Sequence, residues 1–264
     1  MRVRSLASGS SGNALLVQAG RHAVLVDAGG PLRRLEARLR ELEIGPGQLA
    51  AILLTHEHAD HAASAEALAR AYGAPIVANA PTLAAAGLTP SACQVLATGR
   101  TLDLREIEVT PFAVPHDGAE PVGYVLRAEG WTVAIATDLG CVTPTVVAQL
   151  RLADLVVLEA NHDVGMLRDG SYPEPLKARI LSSVGHLSND QAADAALRVV
   201  SGRSQWLWLA HLSAKNNRPA LARQAVEERL GAMGVRTVRV EVLDRHRPGP
   251  LLETDRQSRQ WQLL

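Results

Sequence analysis

The sequence predicts an α/β protein in which two β-sheets pack face to face and helices cover the outer faces. Short apolar, β-branched runs alternate with longer segments of helical periodicity along the whole chain, which is typical of mixed α/β layers. The pattern recurs loosely in the two halves, with strands first and strand/helix units after them. The composition, 47% hydrophobic and 20% charged, is ordinary for a globular enzyme and indicates a folded protein. No linker is visible, so we expect a single domain over residues 1–264.

The chain opens with three predicted strands and an amphipathic helix. Apolar runs at residues 3–7, 14–19 and 23–27 are separated by turn-rich segments, which predicts an antiparallel meander. Pro31 suits the first turn of a helix, and leucines then recur at helical spacing until the glycines and proline of residues 45–47 end the segment.

A second group of elements surrounds a polar cluster. An apolar strand at residues 51–55 leads directly into the cluster, and an alanine-rich helix is predicted at residues 62–72. Helices are expected to fill most of the later gaps between strands. Further strands are predicted at residues 75–78, 109–114, 123–128, 132–137, 155–159, 206–210 and 235–243.

The polar cluster at residues 56–61 reads His-Glu-His-Ala-Asp-His. Neutral imidazole and carboxylate are the ligands that borderline divalent metals such as zinc and manganese take. A satisfied polar loop explains a lone histidine better, but three histidines and an aspartate this close together favour a metal site. Because the chain must bend between strand and helix, the side chains of His56, His58, Asp60 and His61 can converge on one point.

The cluster resembles the HxHxDH motif of the metallo-β-lactamase fold superfamily, which implies a four-layer αββα sandwich. The other ligands of that superfamily lie at the ends of later strands, and this chain has a histidine or aspartate at each such position. The resemblance implies two divalent ions, Mn²⁺ or Zn²⁺. The implied ligands are His56, His58 and His116 for one metal, Asp60, His61 and His211 for the second, and Asp138 as the bridge between them.

Two metals about 3.5 to 4 Å apart can hold a shared hydroxide at neutral pH and aim it at phosphorus or a carbonyl carbon. The resemblance therefore implies hydrolysis. Aspartate rather than cysteine at position 138 favours the site of phosphodiesterases and thioesterase-like members over that of secreted β-lactamases. Asp27 matches an early aspartate of the superfamily and is expected to orient the histidine loop, although a turn residue before glycines is the alternative.

The segments at residues 8–13, 158–163, 185–189 and 212–217 make nearly the whole chain similar to the bacterial YycJ/WalJ group. That group is regarded as metal-dependent DNA exonucleases that act 5′ to 3′. The resemblance implies a DNA substrate, with RNA left open. No long insertion lies between the bridging aspartate and the last histidine, so the cap domain of the β-CASP relatives is not expected.

The same segments are similar in placement to those of the tRNA 3′-processing endonucleases. By that analogy Glu159 and His186 form a proton-relay pair, and His186 protonates the leaving 3′ oxygen. The alternative for His186 is a structural residue before a helix that Ser188 and Asn189 cap. The predicted catalytic residues are Asp60, Asp138, Glu159 and His186.

Candidate substrate contacts lie near these segments. A glycine-bearing turn at residues 10–13 has backbone N–H groups that could receive a phosphate, and a tight hairpin is the alternative. Polar residues before a helix that begins near Pro219 form a second phosphate position. The polar, proline-bearing residues 163–179 are a candidate substrate loop. The candidate residues are Ser10, Ser11, Asn13, His162, Lys215, Asn216 and Asn217, and for His162 an extra metal or a bracing role stays open.

Charge and aromatic content argue for local rather than global recognition of a nucleic acid. The formal net charge is +0, so no overall positive charge indicates a polyanionic partner. Aromatic residues make up 3% of the chain, so base-stacking platforms are scarce. The basic C-terminal stretch would contribute to nucleic-acid binding only if its arginines form one continuous path from the metal site. Those arginines are Arg236, Arg239, Arg245, Arg247, Arg256 and Arg259.

Two other classes of function compete with a DNA exonuclease. A small-molecule hydrolase, such as a glyoxalase-II-like thioesterase or a cyclic-nucleotide phosphodiesterase, would use the same metal site. A non-catalytic binding protein would require loss of a metal ligand, and every expected ligand is present.

The sequence favours a cytoplasmic enzyme without a membrane contact. The N-terminus turns into glycine and serine before any apolar signal segment, and no run of 18 uncharged apolar residues occurs. Cys93 and Cys141 are too few for a disulfide framework. The sequence does not predict the oligomeric state.

Overall fold

The structure is a computed structural model that describes residues 1–200, 205–245, 247–255 and 260–263. The strands are β1 (Arg2–Ala7), β2 (Ala14–Ala19), β3 (His22–Val26), β4 (Leu49–Leu53), β5 (Ile76–Ala78), β6 (Cys93–Val95), β7 (Leu102–Leu104), β8 (Ile107–Ala113), β9 (Val122–Ala128), β10 (Trp131–Ala136), β11 (Leu155–Glu159), β12 (Gln205–Ala210), β13 (Val238–Val242), β14 (Leu251–Asp255) and β15 (Gln260–Leu263). The helices are α1 (Leu32–Glu41), α2 (Ala59–Ala62), α3 (Ala65–Tyr72), α4 (Ala80–Ala85), α5 (Pro144–Leu150), α6 (Val164–Asp169), α7 (Glu174–Ile180), α8 (Asn189–Val199) and α9 (Pro219–Ala232), with a 3-10 helix at Pro90–Ala92.

These strands form two mixed sheets, so the predicted α/β class is confirmed. One sheet has the order β15-β14-β1-β2-β3-β4-β5-β6, and the other has the order β13-β12-β11-β10-β9-β8-β7. The predicted meander is confirmed, since β1, β2 and β3 pair antiparallel. Each sheet then continues in parallel strands, from β3 to β6 and from β10 to β13.

Three apolar clusters define four layers. The cluster between the sheets contains Val24 and Leu53 from one sheet and Tyr124 and Trp208 from the other. A second cluster lies between the β7–β13 sheet and helices α5, α8 and α9, and a third lies between the other sheet and helices α1 and α3. Burying both faces of each sheet explains why the central strands read as continuous apolar runs.

The prediction differs from the structure in three places. The predicted helix at residues 62–72 is split into α2 and α3, because Ser64 bonds to the Ala28 and Gly30 carbonyl groups and bends the chain. The predicted loop at residues 163–179 contains α6 and α7. Strands β6, β7, β14 and β15 were not expected from the sequence, and three of these are sheet-edge strands.

Two hydrogen bonds join the sheets beside the histidine cluster. The Tyr124 hydroxyl in β9 donates to the Leu54 carbonyl just after β4, over 2.8 Å. The Val122 N–H donates to the Thr55 carbonyl over 2.9 Å. Strands β8 and β10 run the same way, since both pair antiparallel with β9. The carboxyl ends of β8, β10, β11 and β12 therefore meet the carboxyl ends of β3 and β4 at one edge of the sandwich.

Within the described residues, the structure has no helix whose length and apolar character would let it span a bilayer.

Candidate metal centre

Three histidines from two sheets form one ligand group. His56 follows β4 and is buried, His58 precedes α2, and His116 follows β8. One ligand atom from each lies within 4.8 Å of the others. The resemblance implied this set from residues far apart in the sequence, and the structure brings them together.

A second group combines one carboxylate with two imidazoles. Asp60 and His61 lie in α2, and His211 follows β12. Asp60 Oδ2 is 3.6 Å from His61 Nε2 and 3.5 Å from His211 Nε2, so one oxygen faces both rings. The structure brings this predicted set together as well.

Asp138 lies between the two groups. Its Oδ2 is 3.0 Å from His61 Nε2, and its Oδ1 is 3.8 Å from His116 Nε2. It therefore faces one member of each group, as a bridging carboxylate must. Its side chain is almost completely buried.

Backbone conformation turns these side chains inward. Asp27, Asp138 and His211 each follow a strand and have positive φ values of 60°, 57° and 56°. Non-glycine residues adopt this left-handed region at a cost, and such residues cluster at functional sites. The main chain thus bends sharply at the end of β3, β10 and β12 instead of continuing each strand.

Asp27 orients the histidine loop, as the sequence predicts. Its carboxylate accepts hydrogen bonds from the Thr55 N–H at 2.8 Å, the Thr55 hydroxyl at 3.0 Å and His61 Nδ1 at 2.8 Å. Accepting the Nδ1 proton of His61 leaves Nε2 of that ring available as a ligand.

Glu159 gives the same support on the other side of the site. It is fully buried, and its Oε1 accepts from His186 Nδ1 and from His211 Nδ1, each at 2.8 Å. Its Oε2 accepts from the backbone N–H groups of Leu139 and Leu187. The carboxylate thus fixes the ligand His211 and the candidate proton donor His186 together.

Buried charge dominates the electrostatics of the site. Burial acts to raise the pKa of Asp138, but His211 and His61 outweigh it and hold this pKa well below the usual range. Burial acts likewise on Glu159, whose pKa is lowered to about 2 chiefly by His186 and His211. Burial opposes the charge on His211, yet Asp138, Asp60 and Glu159 raise its pKa to about 10. The buried carboxylates therefore require positive charge close by.

The unpartnered atoms of the site fit a divalent cation. His116 Nε2, His211 Nε2 and Asp138 Oδ2 are buried and have ion-pair neighbours at 3.0 to 3.8 Å, but among the described residues none of them makes a hydrogen bond of acceptable geometry. Such atoms are costly unless something binds them. They belong to the two groups identified above, and imidazole and carboxylate suit borderline divalent ions.

The histidine loop packs so closely against Gly29 that a side chain at this position would clash with the loop. A Cβ at Gly29 would lie 1.6 Å from the Asp60 carbonyl oxygen. The same loops are joined by backbone bonds from Asn13 to Asp60 and from Ala28 to His61. The turn after β1, the bend after β3 and the histidine loop therefore form one packed unit.

The turn at residues 10–13 only partly matches its predicted role. Ser10 and Ser11 are exposed and remain candidates for phosphate contact. Asn13 is buried instead: its Oδ1 accepts the Gly9 N–H, and its Nδ2 lies 3.0 Å from His61 Nε2. These contacts show Asn13 packed against the histidine loop, and its side chain is not exposed to solvent.

The residues after His211 also divide into buried and exposed ones. Asn217 was predicted to contact substrate, but its amide is used inside the protein, donating to the Ala160 and Asn161 carbonyl groups and pairing with Asn189. Asn216 is buried, and neither its Oδ1 nor its Nδ2 has a partner in the described residues. Lys215 is exposed.

His162 is fully buried behind the Glu159–His186 pair. Both ring nitrogens form no hydrogen bond with the described residues, and burial lowers its pKa to about 4, so the ring is neutral. Its backbone carbonyl accepts the Asn189 N–H at the start of α8. Direct contact with substrate is therefore not available to His162 in this conformation.

The capping and loop predictions have mixed outcomes. Ser188 caps α8 through a capping box with Gln191, as predicted for a helix that follows His186. The basic residues of 163–179 are partly engaged: Lys177 donates to the Arg168 carbonyl and pairs with Glu174.

The basic C-terminal stretch does not act as one unit. Arg239 on β13 lies over the Trp206 ring, whereas Arg245 donates to the Leu212 carbonyl beside His211. Arg256 and Arg259 lie outside the described residues.

Sequence reasoning did not identify the residues that hold the backbone of His211. The Ser8 hydroxyl accepts the His211 N–H at 2.9 Å, and Asn161 Nδ2 donates to the His211 carbonyl at 2.9 Å. Both residues occur in segments that carry the family resemblance. Their partners lie 203 and 50 residues away, so only the folded chain identifies their role.

Comparisons with known proteins agree with this geometry. Residues 7–186 match the family described as the metallo-beta-lactamase superfamily. The chain is 39% identical to exodeoxyribonuclease YycJ of Bacillus anthracis, over 87% of this chain and 89% of the relative. It is 37% identical to exodeoxyribonuclease WalJ of Streptococcus pneumoniae, over 85% of this chain and 86% of the relative. The crystal structure of the metallo-beta-lactamase fold protein YhfI from Bacillus subtilis superposes with a TM-score of 0.72 at 19% identity, over 96% of this chain and 99% of that one, which supports the fold alone.

Replacing Asp27 with asparagine tests its orienting role. Asp27→Asn removes the anionic acceptor of His61 Nδ1, so we expect metal affinity to fall about 10- to 100-fold. Competition with a chromogenic chelator measures this, with Asp103→Asn, an exposed aspartate on β7, as the matched control. Equal affinity in the two variants would contradict the role given to Asp27.

Proposed function

The chain belongs to the metallo-beta-lactamase superfamily and, within it, to the family of the YycJ and WalJ exodeoxyribonucleases, and on this premise we propose that it is a metal-dependent exonuclease that hydrolyses DNA from a 5′ end. The observation that supports the proposal is the position of Asp138, whose carboxylate oxygens lie 3.0 Å from His61 Nε2 and 3.8 Å from His116 Nε2, one histidine from each candidate ligand group. A centre of this kind suits displacement at phosphorus.

The chain supplies seven ligands for two divalent cations, which we propose to be Mn²⁺ or Zn²⁺. When bound, such a pair lowers the pKa of the attacking water and stabilises the charge that develops on the phosphoryl oxygens. Asp27 and Glu159 keep the ligand imidazoles in the required tautomer, and Asp138 stays anionic between the groups.

We further propose that His186 protonates the leaving oxygen. Its Nδ1 is held by Glu159, which leaves Nε2 free, and its ring is partly exposed. The ring centroid lies 5.1 Å from that of His116 and 5.2 Å from that of His211, between members of both ligand groups. A phosphodiester bound at the metal centre would therefore be within reach of His186.

The proposed substrate is DNA, with RNA as the alternative that the same chemistry would accept. A cytoplasmic location is part of the proposal, and two free cysteines support it because disulfides are rare in that compartment. The contacts between His186 and Glu159 are explained by a proton relay to an alkoxide leaving group. They give no specific support to the thioesterase alternative.

The nuclease proposal is tested with DNA labelled at either end. After loading with Mn²⁺ or Zn²⁺, we expect the protein to release nucleotides from the 5′ end, and Asp138→Asn to lower the rate more than about 100-fold, beyond the loss typical of an outer-shell residue. Asp103→Asn serves as the control. Turnover of a glutathione thioester without nucleotide release would overturn the proposal.

The role of His186 is tested by changing the leaving group. His186→Gln should lower kcat on DNA by about 10² to 10⁴. A p-nitrophenyl phosphodiester needs no proton on its leaving group, so its hydrolysis should change far less. Equal losses on both substrates would show that His186 supports the metal centre instead of donating a proton.

A further inference from the structure

Aromatic side chains suitable for stacking on a nucleobase are rare in this chain, which makes their positions informative. Most of the aromatic rings that the structure describes are buried in the apolar clusters or packed against them. Tyr172 differs, because its side chain is partly exposed and belongs to none of the clusters. It lies between α6 and α7, in the segment predicted from sequence as a substrate loop.

Two cationic side chains accompany Tyr172. Lys215 Nζ lies 5.4 Å from the centroid of the Tyr172 ring. Arg245 reaches the loop that carries Lys215, since its guanidinium donates to the Leu212 carbonyl in that loop. Proteins hold single strands with aromatic rings that stack on bases and nearby cationic side chains that contact the backbone.

Arg245 connects this group to the metal centre. Its Nη2 donates to the Leu212 carbonyl over 2.5 Å, and Leu212 directly follows the ligand His211. A Cβ at Gly9 would lie 3.2 Å from Arg245 Nε, so the guanidinium also packs against the turn after β1. That turn carries the exposed Ser10 and Ser11.

The loops that carry Ser8, Ser213 and Arg245 surround an open pocket of about 220 Å³, which Pro219 and Asp244 also line. This volume far exceeds the roughly 30 Å³ share of one water molecule. A group larger than solvent, such as a phosphate, therefore has room beside the guanidinium.

We propose that Tyr172, Lys215 and Arg245 form a subsite that holds the DNA strand next to the metal centre, with a base on the Tyr172 ring and backbone phosphate at the two cations. The inference rests on the proposed function and names a part of the substrate that the metal ligands do not contact. It also explains how a chain of zero net charge binds a polyanion, since the positive charge is concentrated where the strand leaves the metals.

The subsite is tested by binding, which does not depend on turnover. Kd is measured by fluorescence anisotropy with a single-stranded oligonucleotide whose phosphorothioate linkages resist cleavage. Tyr172→Leu keeps the bulk but removes the aromatic face, so we expect Kd to rise about 10-fold. Tyr172→Trp keeps the face and should stay within about twofold of the wild type. Lys215→Ala and Arg245→Ala should each weaken the salt dependence of Kd, while Arg100→Ala, an exposed arginine on the β6–β7 connection, should not.

Hydrolysis of a p-nitrophenyl phosphodiester is measured in parallel as a check on the metal centre, and Arg100→Ala, which lies outside the site, should leave it unchanged. An unchanged Kd in Tyr172→Leu overturns the proposal. Equal weakening by the leucine and tryptophan variants also overturns it, since Tyr172 would then act only as a brace. If the Kd values of wild type and variants follow the predicted pattern but wild type cleaves no DNA, the subsite is supported and the nuclease function is contradicted. If wild type cleaves DNA but all variants bind it with the same Kd, the nuclease function stands and the subsite fails.

Discussion

The buried carboxylate of Asp138 is the feature on which the rest of the site depends. It is 2% exposed, and a carboxylate in such a place is stable as an anion only when positive charge surrounds it. His61 and His211 hold the pKa of Asp138 low, and Asp27, Asp60 and Glu159 in turn raise the pKa of these two imidazoles. The chain thus surrounds the Asp138 carboxylate with imidazole and carboxylate groups, and divalent cations would replace the imidazole protons in balancing the buried negative charge.

The fold makes that arrangement possible by aligning strand ends. The two sheets contact through an apolar cluster, and at one edge hydrogen bonds from Tyr124 and Val122 bring β9 against the end of β4. Ligands from both sheets then lie within reach of one another. Asp27, Asp138 and His211 adopt a left-handed backbone conformation, which directs their side chains inward at these strand ends. This conformation costs conformational free energy. A rigid sandwich around them offsets that cost and restricts movement of the ligands.

The sequence predicted the layers and the ligands because both have local signals. Continuous apolar strands and the compact His56–His61 cluster are visible without a structure, and the resemblance supplied His116, Asp138 and His211. The roles of Asn13 and Asn217 were not predictable, since a polar residue near a motif looks the same whether it faces solvent or supports a loop. Strands β6 and β7 have three residues each and little periodicity, and α2 and α3 are separated by contacts of Ser64 that only the folded chain creates.

Burial separates the residues that support the site from those that a substrate can contact. Fully buried Glu159 and Asp27 act through imidazoles, whereas the partly exposed His186, Tyr172 and Lys215 are available to a substrate. Whether residues 56–61 hold two cations together with residues 116, 138 and 211 can be measured by the anomalous scattering of crystals grown with Zn²⁺. We predict two peaks per chain, one at each ligand group, with Asp138 between them. A single peak, or peaks away from these residues, would contradict a dimetal centre at this edge of the sandwich.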